Sequence, residues 1–164
     1  MGEVSRDRDP DGRPENARPR DATGRLLPRG SGASWRERLA AKDALRALPP
    51  REAVAEAERL VLDGQPFYAH EVLEGPWHLA AEPERAFWQG LAQVAVGLTH
   101  VQRGNAVGAV SLLRSGAEKV AGYPDGTHGV ATSRVAAAAR ALAERVETEG
   151  VAALTPADLA VPYT

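Results

Sequence analysis

Residues 83–104 read PERAFWQGLAQVAVGLTHVQRG and are apolar on nearly every side of a helical wheel. A helix that is apolar all round must be covered by its neighbours, so this stretch predicts the central helix of an all-α domain. Arg103-Gly104-Asn105 is a short connection, and Asn105 suits the cap of a following helix that runs to about 121. The two helices should pack as an antiparallel hairpin at the core of the fold.

Further helices follow on both sides. A segment from 51 to about 63 carries Val54, Leu60 and Val61 on an apolar face, with Gly64 as its stop. Pro66 fits the first turn of the next helix. Gly75-Pro76 then predicts a break, because Pro76 lacks the N–H that would bond the Val72 carbonyl. Upstream, Ser34 and Glu37 form a capping-box signature ahead of WRERLAAKDALRAL, which stops at Pro49-Pro50. Downstream, residues 122–130 are a turn-rich loop, Thr132 or Ser133 is the expected cap of a helix ending before Gly150, and Thr155-Pro156 starts a last short turn. No segment alternates with period two for long enough to argue for a sheet. The expectation is a single-domain bundle of about six helices over 34–164, with the fourth and fifth helices as its core hairpin.

Residues 1–33 hold five Gly, four Pro and seven Arg but no aromatic residue. Such a segment buries too little apolar surface to offset its ordering entropy. It reads as a flexible arm or, alternatively, as one docked on the body through Arg13, Arg18, Arg20 and Arg25. The charge distribution allows docking: residues 1–50 carry eleven Lys or Arg against eight Asp or Glu, and the remainder nine against fourteen.

Composition excludes several function classes. The chain has no cysteine, which removes disulfides, thiolate metal sites and cysteine nucleophiles. A formal charge of −2 and basic residues without interleaved aromatics argue against nucleic acid. No apolar run is long enough for a membrane span, and the N-terminus lacks a secretory signal, so a cytoplasmic protein is expected. No phosphate-binding loop and no GxSxG elbow occur.

Chemistry concentrates in residues 67–77, FYAHEVLEGPW, where His70 and Glu74 lie four apart and rise from one helix face. Ionisable groups in such apolar surroundings need a partner or a metal. Glu71 sits about 100° round the helix and is expected to face elsewhere. On the central helix Gln89, Gln93 and His100 line up in a polar stripe that Arg103 extends. The economical expectation is that this stripe faces His70 and Glu74 across a helix pair. His78 and His128 are expected to be exposed.

The run from 67 to about 113, with AHEVLEGPW followed by FWQGLAQVAVGLTHVQRGNAVGAVSLL, resembles domain-of-unknown-function family 309, small helical proteins of bacteria and archaea. His70, Glu74 and Trp77 match the family's His-x3-Glu-x2-aromatic signature, and the likeness extends to Gln89-Gly90, Gln93 and residues 102–105. The resemblance implies an all-helical fold and a metal-binding role for the motif, but no particular reaction.

Two function classes follow. In the first, His70, Glu74 and His100 hold a divalent transition metal (Zn, Mn or Fe), Trp77 walls the pocket, and Gln89 and Gln93 orient the ligands. Any small-molecule ligand is unidentified, and no nucleophile or base stands out beyond the metal ligands. In the second, the protein is a non-catalytic binding or scaffold module, a homodimer in one version, whose polar cluster only fixes helix register.

Overall fold

Proline, glycine and an apolar stripe set the first helix. In the computed structural model, which describes residues 20–21, 23–26 and 43–164, α1 spans Pro50–Leu62 and starts on proline at its first position. Its buried residues Ala53, Val54, Ala57, Leu60 and Val61 repeat at helical spacing. It ends where Gly64 adopts φ 72° and the Gln65 N–H bonds the Leu60 carbonyl at 2.8 Å. The rest of the expected 34–48 helix, with its Ser34–Glu37 cap, lies outside the described residues up to position 42, as do arm residues 1–19, 22 and 27–33. Residues 43–46 are helical.

Helix α2 spans Pro66–Leu79 and α3 spans Glu84–Gln102. The expected break at Gly75-Pro76 does not occur. Helix α2 continues through Pro76, and the Ala80 N–H bonds the Pro76 carbonyl at 2.8 Å. Proline forfeits one hydrogen bond close to the helix end, and burial of Val72, Leu73, Gly75 and Pro76 outweighs that loss. Trp77 therefore belongs to the same helix as His70.

Helix α3 is the buried centre, with Phe87, Trp88, Leu91, Val94, Leu98 and Val101 all in the core. Helix α4, Ala106–Ala121, starts at Asn105, whose side chain accepts from the Gly108 N–H at 2.9 Å. The α3–α4 hairpin forms the most extensive helix pair of the structure, as its sequence predicts. Its close approach depends on missing side chains. A Cβ on Gly116 would lie 2.7 Å from the Gly90 carbonyl oxygen, and one on Gly97 would lie 2.7 Å from Leu113 Cγ.

Helix α5 spans Thr132–Glu149 and packs on α4. Neither Thr132 nor Ser133 caps it. Asp125, from the preceding loop, accepts from the Ser133 N–H at 2.8 Å and from the Thr132 and Ser133 hydroxyls, so the cap arrives across the turn. Two 3₁₀ turns follow, Val151–Ala153 and Pro156–Leu159, the second starting at Thr155-Pro156 as expected and held by Asp158, which accepts from the Thr155 N–H and hydroxyl. Each helix packs chiefly on its neighbours in sequence, which gives a serial array of antiparallel hairpins, and no strand occurs among the described residues.

The C-terminal segment ties the two ends of this array together. Glu58 of α1 accepts the N–H groups of Tyr163 and Thr164 at 3.0 and 3.1 Å, while the Ala131 N–H before α5 bonds the Tyr163 carbonyl at 2.8 Å. The Tyr163 side chain is fully buried, and its hydroxyl has no hydrogen-bond partner.

Two stability measurements test this packing. A Cβ at Gly75 would fall 2.0 Å from the Arg46 carbonyl oxygen. Gly75→Ala should therefore destabilise by about 1–3 kcal/mol in urea unfolding, although helix propensity alone favours alanine by about 1 kcal/mol. At Tyr163, burial pushes the phenol well above its ordinary value of 10.0, with Glu58 adding to the shift. The neutral form is the one the fold accepts, so this contribution is complete below about pH 10 and is lost as pH rises beyond it. Tyr163→Phe should unfold at the same or a higher temperature at pH 7, and its advantage over the parent should widen above about pH 10.

Candidate functional site

The polar groups of α2 are gathered on one side by the register of the helix and by a neighbour from upstream. His70 Nε2 lies 3.0 Å from Glu74 Oε1, the i,i+4 contact expected from the sequence. Glu71 joins them: its Oε1 is 3.9 Å from His70 Nδ1. The expectation that Glu71 faces elsewhere is corrected here. A 100° offset separates Cβ atoms, but a glutamate side chain is long enough to swing back towards a shared cation.

That cation is Arg46. Its Nη2 contacts Glu74 Oε2 directly and lies 3.5 Å from Glu71 Oε2. The guanidinium is delivered by backbone packing, because the main chain of Arg46 rests on the bare Cα of Gly75. The side chains of His70, Glu71 and Glu74 are 19%, 14% and 18% exposed, so the group is half-buried. The buried atoms His70 Nδ1 and Arg46 Nε have no hydrogen-bond partner.

His70, Glu71 and Glu74 each present one ligand atom within 4.8 Å of the other two, the sole such set among the described residues. His100 is not part of it. Its Nδ1 lies 2.8 Å from the Asn105 amide nitrogen, at the turn into α4. The Asn105 carbonyl oxygen is already bonded to the Gly108 N–H, so the amide must donate and His100 Nδ1 must accept. Burial, assisted by the Arg103 charge, holds His100 below the ordinary imidazole value and favours this neutral form.

The expected polar stripe on α3 thus turns away from His70. Gln93 Oε1 accepts from Ser115 Oγ on α4 at 3.2 Å, and Lys119 Nζ donates to the same hydroxyl at 3.0 Å. Gln89 is half-buried one turn earlier. Trp77 lies beyond the cluster, its ring stacked on exposed His78 at 5.7 Å between centroids. His128 departs from its expected exposure: it is 24% exposed, bonds Glu84 at 3.0 Å and packs on the Trp88 ring.

Arg103 serves a different neighbourhood. Its Nε donates to the Thr23 carbonyl at 2.8 Å, and its guanidinium lies 5.8 Å from the Phe67 ring centre. Two participants in the α2 cluster were missed from sequence. Glu71 carried a signal, as the carboxylate next to His70. Arg46 carried none, being 28 positions from its partner.

Chemically, one imidazole and two carboxylates gather around a guanidinium. No curated protein and no solved structure matches the chain. One family model does, described as a domain of unknown function (DUF309), over residues 54–112, and the resemblance expected from the sequence is borne out over that span. The segment that carries His70, Glu71 and Glu74 lies within that match and is similar to the DUF309 family.

Proposed function

We propose that the His70–Glu71–Glu74 face of α2 binds a divalent transition metal. The supporting observation is the convergence of their ligand atoms within 4.8 Å. One imidazole nitrogen and two carboxylate oxygens suit Mn, Fe or Zn, and three protein ligands leave further coordination positions for water. Glu71 takes the third-ligand role expected of His100, which is engaged with Asn105. In this reading Arg46 holds the two carboxylates together until a metal replaces its charge. A bound metal would supply an activated water for hydrolysis.

The competing reading is a scaffold module in which the same cluster pins residue 46 against α2. It is favoured by Arg46, which already provides a cation to both carboxylates.

Elemental analysis separates the two. Protein purified without chelators should carry close to one equivalent of metal, and His70→Ala and Glu74→Gln should each lose it. Arg46→Gln should bind metal severalfold more tightly, since it removes a competing cation. Absence of metal from the parent protein, with His70→Ala merely lowering stability by about 1–3 kcal/mol, would establish the scaffold reading instead.

A further inference from the structure

At the end of α3, two arginines share one aromatic ring and a third reaches the neighbouring backbone. The guanidinium carbons of Arg20 and Arg103 lie 5.5 and 5.8 Å from the Phe67 ring centre, and Arg25 Nη2 donates to the Arg103 carbonyl at 3.3 Å. Cations stack favourably on an aromatic face, but stacking two beside a third accumulates like charge. The bonds that orient them neutralise nothing. Arg20 donates to the Gly24 carbonyl at 2.7 Å and Arg103 to the Thr23 carbonyl at 2.8 Å, both uncharged acceptors.

None of the three arginines is in an ion pair among the described residues. Asp21 is the nearest carboxylate to act on them, and it is occupied within its own turn. Its Oδ1 accepts the N–H groups of Thr23 and Arg25, both at 2.9 Å, and the Thr23 hydroxyl at 2.7 Å. Among the described residues, three positive charges thus face one negative charge. Burial, with Arg20 and Arg25 adding repulsion against the pull of Asp21, holds Arg103 below the ordinary guanidinium value.

The turn is shaped to hold this arrangement. Gly24 is buried at φ 76°, a conformation that side chains rarely adopt. A Cβ there would come within 2.2 Å of the Phe67 ring and 2.6 Å of Arg103 Nη2. The turn at Gly24 is therefore fitted onto Phe67 and Arg103 by backbone shape, and the arm brings two of the three charges.

We propose that Arg20, Arg25 and Arg103 form a binding site for a small dianionic oxyanion, namely inorganic phosphate or the phosphate group of a small phosphomonoester. Planar guanidinium forks match tetrahedral oxyanions, and a dianion balances the excess of charge. The site bridges arm and body, so its occupation fastens the turn at Gly24 onto α2 and α3. It lies beside the metal-binding face, since the Phe67 and His70 rings are 6.0 Å apart, but it depends on none of the proposed metal ligands.

Calorimetric titration of the full chain with inorganic phosphate, at ionic strength held constant with chloride, tests this. Saturable binding near one equivalent is expected. Arg103→Gln and Arg20→Gln should each weaken it about tenfold or more. Arg114→Gln, which alters a surface arginine paired with Glu147, should leave it unchanged. Gly24→Ala should abolish it without loss of helical circular dichroism, which separates the site from the stability of the body. A parallel titration with glycerol 3-phosphate distinguishes the free ion from the ester: tighter binding of one identifies it as the preferred source. No saturable binding of either ligand, or an equal loss in Arg114→Gln, would overturn the proposal.

Discussion

The absent side chain of Gly75 is the constraint on which the candidate metal face depends. Because α2 offers bare backbone there, the main chain of residue 46 lies directly on the helix, and the Arg46 guanidinium reaches both Glu71 and Glu74. Two half-buried carboxylates side by side repel one another in a medium that screens poorly, and a guanidinium shared between them offsets part of that repulsion. The Arg46 guanidinium joins the two side chains into one unit. The same guanidinium marks where a divalent cation would gain most.

The serial helix array positions this unit. Helix α3 is covered by α2 on one side and α4 on the other, and small residues at Gly90, Gly97 and Gly116 bring α3 and α4 together closely. That close pairing draws Gln93 and His100 to partners in or leading into α4 and leaves α2 to make its own polar contacts. Phe67 neighbours two groups of opposite character, with the His70 ring 6.0 Å from its own and the guanidinium carbons of Arg20 and Arg103 at 5.5 and 5.8 Å.

Much of this was legible in the residues. The all-round apolar character of 84–102 announced the central helix, and Gly104-Asn105 announced the hairpin. The i,i+4 spacing of His70 and Glu74 announced their contact. What stayed hidden has physical reasons. Periodicity says which face of a helix is polar but not which neighbour that face meets, so the Gln89–Gln93–His100 stripe was assigned to the wrong partner. A proline rule describes local cost, while burial around Pro76 decided the outcome. Angular spacing ignores side-chain reach, which is why Glu71 was set aside. The contacts of Arg46, and of Glu58 with the C-terminal segment, span long separations in sequence, and no local pattern encodes them.

A double-mutant cycle between Arg46→Ala and Glu74→Gln, read by urea unfolding of the metal-free protein, tests most directly whether Arg46 unites the cluster. The account predicts a coupling energy of about 1–3 kcal/mol, as for groups that share one buried network. Additivity within about 0.3 kcal/mol would mean that the two side chains act independently, and would contradict it.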